Sequence, residues 1–439
     1  MNNIFSTLLF TLAVAFLAFL YGAAVGILRI YPYETIYAAY ITGHALLNES
    51  DDGDASVNQL HQLYPARYDE AGVTVYEKDA AQPGITLVTS YWFDDDHWQP
   101  AIRLLDMEGA VLHEWQIRPE EIWPESPYDD HVAGTLNNPN NYVHGAWLLP
   151  DGDIVFNVEY AGLVRMNACG KVVWTVPHRT HHSVFQSDDG SFWVASLNWR
   201  YETIDNYIHP KPTFVDEAVL QISPEGEILR ELSILNSIYS SGYGGIFADV
   251  SKNYDITHMN DVEILSVDMA DSFPMFEAGD ILVSLRNLSI VMVLDGETGL
   301  IKWHLRHPLL RQHDPDFEPD GYIVIFDNRD DMTQEGLRLG STRLLKVNPQ
   351  DNSYETVYPL SDDQTFYTQT GGKHQLLDNG NRLITEAHGG RIFEIDPAGH
   401  LVWNWIIETQ GDGWVPEVLE GSRYPAHMAN FVSTACPAD

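Results

Sequence analysis

Five segments of the chain begin with a histidine and end in a turn glycine. The histidine stands eight residues before the glycine in His144–Gly152, His182–Gly190 and His313–Gly321, while His374–Gly380 is a shorter copy and His258–Gly279 carries an insertion. Imidazole changes its protonation state near neutral pH, so a histidine can act as a nucleophile, a general base or a general acid. The repeated spacing predicts several imidazoles at equivalent points of a repeated structural unit.

A second repeat lies between these segments and indicates the elements that position the histidines. Six segments place Asp, Asn, Pro or Gly before a short apolar stretch: "DMEGAVLHEW", "NACGKVVW", "SPEGEILREL", "DGETGLIKW", "NPQDNSYETV" and "DPAGHLVW". This is the pattern of an outer hairpin followed by an edge strand, at intervals that suit a four-stranded blade with loops. The sequence therefore predicts an all-β protein, a six-bladed β-propeller, in which "HMANFV" from His427 supplies the strand that closes the ring.

The innermost strand of each propeller blade lines the central channel. We therefore expect His182, His258, His313 and His374 to open inner strands and to face that channel. A single histidine at the start of a strand is more often a structural hydrogen-bonding residue than a catalytic one, and for His144 this interpretation is favoured. The shared spacing favours function for the others.

The first residues of the chain predict a membrane anchor. The stretch from Ile4 to Leu28 contains no charged side chain and is long enough to cross a bilayer as a helix. A cleaved signal peptide is the alternative, but the basic n-region that such a peptide begins with is absent. We expect a transmembrane signal anchor over residues 1–30, a neck over 31–83 and the propeller over 84–439, with Gly22 and Gly26 as a possible packing surface for a membrane-protein partner.

Charge and cysteine content exclude several classes of function. The formal net charge of −39 would repel a phosphate backbone, so we expect no binding of nucleic acid. The chain has two cysteines, Cys169 and Cys436, which form one disulfide or stay as two free thiols. No Cys/His spacing typical of a structural zinc site is present.

The ordered series of motifs from about Gly84 onward resembles the arylsulfate sulfotransferases of bacteria. The matching segments are "GITLVTS", "RLLDMEGAVLHEW", "HHSVFQSDDG", "THMNDVEIL", "GDILVSLRNLS", "DGETGLIKW", "QHDPDFEPDG" and "IVIFDN". Members of that family have a six-bladed propeller and move a sulfuryl group from an aryl sulfate ester to a phenol through a sulfated histidine. The resemblance implies the same fold and activity here.

The resemblance also implies roles for individual residues. His313 corresponds to the nucleophile, and His258, Asn260 and Arg286 correspond to the family's His-x-Asn element and its arginine. His182 matches an earlier channel histidine, expected to assist proton transfer. The family's cysteine pair near the nucleophile is absent from this chain.

Three further residues are expected to contact the substrate, which the resemblance implies is a small aryl sulfate or phenol. Lys373 and His374 lie where the next blade opens, and His144 begins one of the repeated segments. The scheme requires no metal and no cofactor. Preorganised donors would stabilise the sulfuryl oxygens and the leaving phenolate.

Two other functions compete with this one. A propeller that has lost the chemistry would serve as a membrane-anchored scaffold or accessory subunit of a larger assembly. A ring of imidazoles could instead bind a transition ion, although Arg286 in the same channel would repel a cation. The apolar segment and the family resemblance predict a periplasmic or extracellular propeller, whereas Arg29 beside the apolar segment mildly favours a cytoplasmic one.

Overall fold

The structure is a computed structural model that describes residues 2–28, 62–94, 97–125, 127–128, 142–202, 214–249, 255–333, 336, 338–409 and 413–433. The chain divides into two compact units, Met1–Leu60 and His61–Asp439. Helix α1, Asn2–Leu28, belongs to the first unit. The second unit consists almost entirely of antiparallel β-sheet.

Six sheets of this unit are the blades of a propeller, as predicted. Blade 1 contains β3 Ile85–Asp94, β4 His97–Leu105 and β5 Val111–Gln116. Blade 2 contains β6 Val143–Leu148, β7 Ile154–Val158, β8 Gly162–Met166 and β9 Val172–Val176. Blade 3 contains β10 Thr180–Gln186, β11 Phe192–Arg200, β12 Phe214–Ile222 and β13 Ile228–Ser233.

The other three blades follow in chain order. Blade 4 contains β14 Met259–Ile264, β15 Ile281–Leu285, β16 Ile290–Leu294 and β17 Ile301–Leu305. Blade 5 contains β18 His313–Phe317, β19 Ile323–Asp327, β20 Arg343–Val347 and β21 Tyr354–Tyr358. Blade 6 contains β22 Lys373–Leu376, β23 Arg382–Glu386, β24 Arg391–Ile395 and β25 Leu401–Ile406. Short helices occur between strands: α2 Pro119–Ile122, α3 Ile234–Ser240 and α4 Val267–Ala270.

Three strands from the ends of the unit complete these sheets. Strand β27, Glu420–Tyr424, is the innermost strand of blade 1 and contacts both β22 and β6, which closes the ring. Strand β2, Gly72–Tyr76, adds a fifth strand to blade 6, and β1, Leu63–Pro65, pairs with β26, Trp414–Pro416. The propeller sheets therefore take in residues upstream of Gly84.

The prediction that residues from His427 supply the closing strand is wrong. Residues Ala426–Ser433 form a 3-10 helix, and the closing strand lies just upstream. Phe431 of this helix packs against the core between blades 1 and 2 and sits over Gly152. Its apolar residues thus serve packing rather than strand pairing.

The tryptophans of the second repeat join neighbouring blades. Trp115, Trp174, Trp303 and Trp403 lie on outer strands, and each indole N–H donates a hydrogen bond of 2.7–3.2 Å to the outer turn of the following blade. Buried indoles need such a partner. In four of the six blades, the tryptophan of the repeat therefore holds the blade to the next one.

The membrane anchor stays a prediction. In the part of the chain that the structure describes, no helix is long and apolar enough to cross a membrane. The partner surface at Gly22 and Gly26 is likewise a prediction. Cys169 is disulfide-bonded, and the only other cysteine, Cys436, lies outside the described residues.

Candidate functional site

Bulges at the start of the inner strands turn several of these side chains toward one another. The pairing register shifts at residues 144–145 of β6, 182–183 of β10, 260 of β14 and 314 of β18. A bulge leaves one residue unpaired and redirects its side chain. His182 and His258 adopt left-handed backbone angles, φ 59° and 47°, which are uncommon for residues other than glycine.

The structure brings His144, His182 and His258 together from three consecutive blades. The ring centroids of His144 and His182 are 4.4 Å apart, and those of His182 and His258 are 5.1 Å apart. His181 also joins this group, since its Nδ1 lies 2.8 Å from Nδ1 of His182. We call these four residues the imidazole cluster.

Buried carboxylates surround the imidazole cluster. Glu159 lies 3.2 Å from Nδ1 of His144 and accepts a hydrogen bond from the backbone N–H of His182. Asp255 lies 2.5 Å from Nδ1 of His258. Each carboxylate holds an imidazole by Nδ1, so these contacts orient the rings.

His313 begins β18, and its hydrogen bonds fix which nitrogen carries the proton. The amide nitrogen of Asn328 donates to the carbonyls of Thr368 and Gly371, at 3.0 and 2.8 Å. Its Oδ1 is therefore the atom 2.7 Å from Nδ1 of His313, and it can only accept. Nδ1 of His313 must carry the proton, which leaves a lone pair on Nε2.

The backbone N–H of Gly371 donates to that lone pair at 3.2 Å. Gly371 has φ 65°, and a Cβ there would lie 2.9 Å from the Glu417 carboxylate and 3.1 Å from Cβ of Ala387. Both the conformation and the space require glycine. A backbone donor thus stands beside the nitrogen that would attack.

Arg286 reaches the same region from the end of β15. Its backbone N–H donates to the carbonyl of His258 at 3.0 Å, and its Nε donates to Oδ1 of Asn287 at 3.4 Å. Burial lowers the pKa of the Arg286 guanidinium, and the neighbouring charge of Arg311 lowers it further. An arginine remains charged in proteins, so this is a partly desolvated cation.

Asn260 packs against the residue before the candidate nucleophile. Its amide nitrogen donates to the carbonyl of Gln312 at 2.9 Å. Asn260 thereby holds the backbone immediately upstream of His313, and a contact with a sulfuryl oxygen stays a prediction.

Burial keeps these imidazoles neutral. It lowers the pKa of His313 and of His182 well below the usual range; the charge of Arg286 lowers that of His313 further, and the electrostatic interaction with the His144 imidazole lowers that of His182 further. It also lowers the pKa of His258 and brings that of His181 to about 4. Burial, with the nearby charge of Asp255, raises the pKa of Glu217 to about 8.

The low pKa of His181 predicts a pH-dependent contribution to stability. The unfolded chain binds a proton at this residue near pH 6.5 and the native state only near pH 4, so the contribution is complete above pH 6.5 and is lost as the pH falls toward 4. The His181→Gln variant should lack this loss, which amounts to about 1.4 kcal/mol per pH unit. Urea unfolding of both proteins at pH 7.5 and pH 5 measures it.

His427→Gln is the control for this measurement, because it removes an exposed histidine outside the imidazole cluster. If His181→Gln loses as much stability on acidification as the wild-type protein does, the neutral burial of His181 is contradicted.

Lys373 and His374, predicted to contact substrate, lie in a different group of residues. The Lys373 amine is 3.3 Å from Glu420 and 3.9 Å from Asp314. Burial lowers the pKa of Lys373, but the carboxylates, Glu420 first, outweigh burial and raise it. Nδ1 of His374 faces Asp316 at 3.4 Å, and its backbone N–H donates to Asp314.

Several residues of the site were not predicted from the sequence. Asn328 ends the motif "IVIFDN", in which it was given no role, and Gly371 begins a pair of glycines before β22 that belongs to none of the motifs above. Glu159 and Asp255 lie in connecting segments that carry no such signal. Asn328, Gly371 and Glu159 make contacts between blades, whereas Asp255 contacts His258 within one blade.

Two groups of described residues have the composition and spacing of a metal site. The potential ligand atoms of His144, Glu159 and His182 lie within 4.8 Å of one another, and so do those of Asp314, Asp316 and His374. In the first group, Nδ1 atoms of the histidines already contact Glu159 and His181. We assign that group to the hydrogen-bonded imidazole cluster.

The family model described as arylsulfotransferase (ASST) matches residues 145–408. This span contains every candidate site residue except His144. No curated protein is similar enough in sequence to count as a match.

Several solved structures are similar to this chain at low identity and with TM-scores below 0.5. A protein of unknown function from Bacteroides caccae is 13% identical, with 76% of this chain and 99% of that chain covered and a TM-score of 0.48. Streptogramin B lyase is 10% identical, with 79% and 87% covered and a TM-score of 0.40. Catalytically inactive virginiamycin B lyase from Staphylococcus aureus with quinupristin is 10% identical, with 80% and 97% covered and a TM-score of 0.42.

Proposed function

Because the chain belongs to the arylsulfotransferase family, we propose that it transfers a sulfuryl group from an aryl sulfate ester to a phenolic acceptor through a sulfated His313. The observation that carries this proposal is the fixed tautomer of His313. With the Nδ1 proton held by Asn328, Nε2 presents a lone pair that burial keeps unprotonated. A neutral nitrogen nucleophile is what the covalent route requires.

The proposed reaction consists of two displacements at sulfur. In the first, Nε2 of His313 forms a bond to sulfur while the bond from sulfur to the aryl oxygen breaks, and the phenolate leaves with the electron pair. In the second, the oxygen of the acceptor phenol attacks sulfur, the sulfur–nitrogen bond breaks, and the lone pair returns to Nε2. The acceptor's proton passes to a general base.

His258 is suited to be that base. Asp255 accepts the Nδ1 proton of His258, which leaves Nε2 of His258 as a proton acceptor. His182 packs against the His258 ring and would pass the proton on within the imidazole cluster. After the second displacement, that nitrogen gives the proton up to the departed phenolate or to solvent, which returns His258 to its neutral form.

Two donors would stabilise the sulfuryl oxygens. When Nε2 of His313 attacks, the N–H of Gly371 loses its present acceptor and stands within reach of a sulfuryl oxygen. Arg286 supplies a positive charge on the same side of the site. Donors fixed in place before the reaction stabilise developing charge without reorganisation.

Incubation of the purified chain with a chromogenic aryl sulfate, with and without a phenol, tests the proposed function. We expect release of the chromogenic phenol, faster with the acceptor, together with the sulfated acceptor as product. If no aryl sulfate is turned over, the non-catalytic scaffold takes the place of this proposal.

We further propose that α1 anchors the protein and that the propeller lies on the periplasmic or extracellular side. The uncharged stretch from Ile4 to Leu28 supports an anchor, and the disulfide of Cys169 supports an oxidising compartment. Protease added to intact spheroplasts should digest the propeller. A propeller protected until the membrane is opened would contradict this placement.

A further inference from the structure

A cavity extends to the downstream ends of the inner strands, whereas the imidazole cluster lies at their starts; we call it the acidic cavity. It has a volume of about 790 Å³, and Phe185, Glu263, Phe317, Leu376 and Tyr424 from five of these strands line it. His313 and the four histidines of the imidazole cluster are not among its lining residues.

Acidic side chains dominate this cavity. Five carboxylates surround the ammonium group of Lys373 here: those of Asp261, Glu263, Asp314, Asp316 and Glu420. Arg423 also lines the cavity, but its guanidinium is paired with the buried Glu394. Burying carboxylates without matching positive charge is costly. The group therefore favours bound protons or an additional cation.

The side chain of His374 indicates a cation rather than protons alone. Its Nε2 faces the carbonyl of Val324 at 3.3 Å, and a carbonyl can only accept, so Nε2 carries the hydrogen. Nδ1 is buried, has no hydrogen-bond partner and lies 3.4 Å from a carboxylate oxygen of Asp316. A lone pair facing a carboxylate is repulsive unless a proton or a cation lies between them, and 3.4 Å is long for an O–H···N hydrogen bond, which favours the cation.

We propose that Asp314, Asp316 and His374 bind a divalent first-row transition ion of the Mn²⁺ or Zn²⁺ class. One imidazole nitrogen and two carboxylate oxygens suit these ions, whereas Ca²⁺ and Mg²⁺ prefer oxygen ligands alone. The three ligand atoms lie within 4.8 Å of one another. Ligands about 2.1 Å from one ion are at most about 4.2 Å apart, so small side-chain rotations would complete the site.

The ion would join two neighbouring blades. Asp314 and Asp316 lie on β18, which begins with His313, and His374 lies on β22. Asp316 is partly exposed, with 28% of its side chain accessible, so an ion can enter from the cavity. An ion that binds only the folded chain stabilises it. Its role would be structural and independent of sulfuryl transfer.

Calorimetric titration of the chelator-treated full chain with Mn²⁺ and with Zn²⁺ tests the proposal. We expect one ion to bind per chain and the midpoint of thermal unfolding to rise, with much weaker binding of Ca²⁺ and Mg²⁺. Asp316→Asn and His374→Gln should each weaken binding at least about 10-fold, since even outer-shell changes at metal sites cost that much.

Asp378→Asn is the matched control, because Asp378 lines the same cavity, is exposed and lies outside the ligand set. It should bind the ion as the wild-type protein does. Circular dichroism verifies that each variant is folded. Because Asp316 is partly exposed, Asp316→Asn should disturb folding less than His374→Gln does. The electron paramagnetic resonance spectrum of bound Mn²⁺ should show coupling to the imidazole nitrogen in the wild-type protein, and this coupling should disappear in His374→Gln.

Three results would overturn the proposal. They are the absence of binding below millimolar ion, unchanged affinity in folded Asp316→Asn and His374→Gln, and loss of binding in Glu159→Gln. The last would place the ion in the imidazole cluster instead.

Discussion

Replacing His313 with alanine is expected to abolish sulfuryl transfer while leaving the propeller folded. The variant removes Nε2 of His313, the only protein atom that we propose bonds to sulfur. The rate should therefore fall by about 10⁴-fold or more, as when the nucleophile of other covalent enzymes is removed. His313 begins the innermost strand β18 and is not one of the side chains that form the cores between blades. Its loss should therefore cost activity far more than stability.

The measurement is the steady-state rate with a chromogenic aryl sulfate and a phenol acceptor. His304→Ala is the control, since His304 lies on the outer strand β17 and packs against Tyr243 away from the channel. Rapid quenching in the absence of acceptor, followed by peptide mass spectrometry, should find the sulfuryl group on His313 in the wild-type and control proteins. Transfer that persists in folded His313→Ala would refute the nucleophile assignment.

The number of blades could be predicted from the sequence because hairpin turns and strand alternation are local signals. The closing strand could not, since "EGSRY" in β27 has little strand propensity of its own. Its pairing with β3 depends on the ring bringing the two ends of the propeller together. The apolar residues after His427 gave a stronger local signal and form a helix instead.

The histidines of the site could be predicted in part for the same reason. Spacing from the turn glycine sets how far along the inner strand a residue lies, at about 3.3 Å per residue. His374 lies six residues before Gly380, whereas His313 lies eight residues before Gly321. His374 accordingly lines the acidic cavity and is not part of the imidazole cluster. In blade 6, the residue eight positions before the turn glycine is Gly372 rather than a histidine. It directly follows Gly371, whose backbone N–H donates to His313.

The partners of those histidines were not predicted, because their roles depend on a second contact with a neighbouring blade. Asn328 and Glu159 each lie 15 residues after the histidine that they contact in their own blade, at the end of the next strand. Carbonyls from the segment before β22 fix the amide of Asn328, and Glu159 also accepts from the backbone of His182 in the next blade. Only the assembled ring supplies these second contacts.

Arg286→Ala is expected to slow transfer by a factor on the order of 10² to 10³, the usual cost of losing one preorganised donor to developing negative charge. Among the described residues, the Arg286 side chain has one hydrogen-bond acceptor, Asn287 Oδ1, which contacts Nε. The terminal nitrogens are therefore free to bind sulfuryl or phenolate oxygens. Arg286→Lys should restore part of the rate, because the charge returns without the planar pair of donors.

A series of aryl sulfates with leaving phenols of different acidity distinguishes the two oxygens that Arg286 could serve. If it stabilises the departing phenolate, the defect of Arg286→Ala should grow as the leaving phenol becomes less acidic; if it stabilises the sulfuryl oxygens, the defect should be uniform. Arg306→Ala, at an exposed position, is the matched control and should keep the wild-type rate. A defect confined to KM would mean that Arg286 binds substrate without stabilising the transition state, which would contradict the role proposed for it.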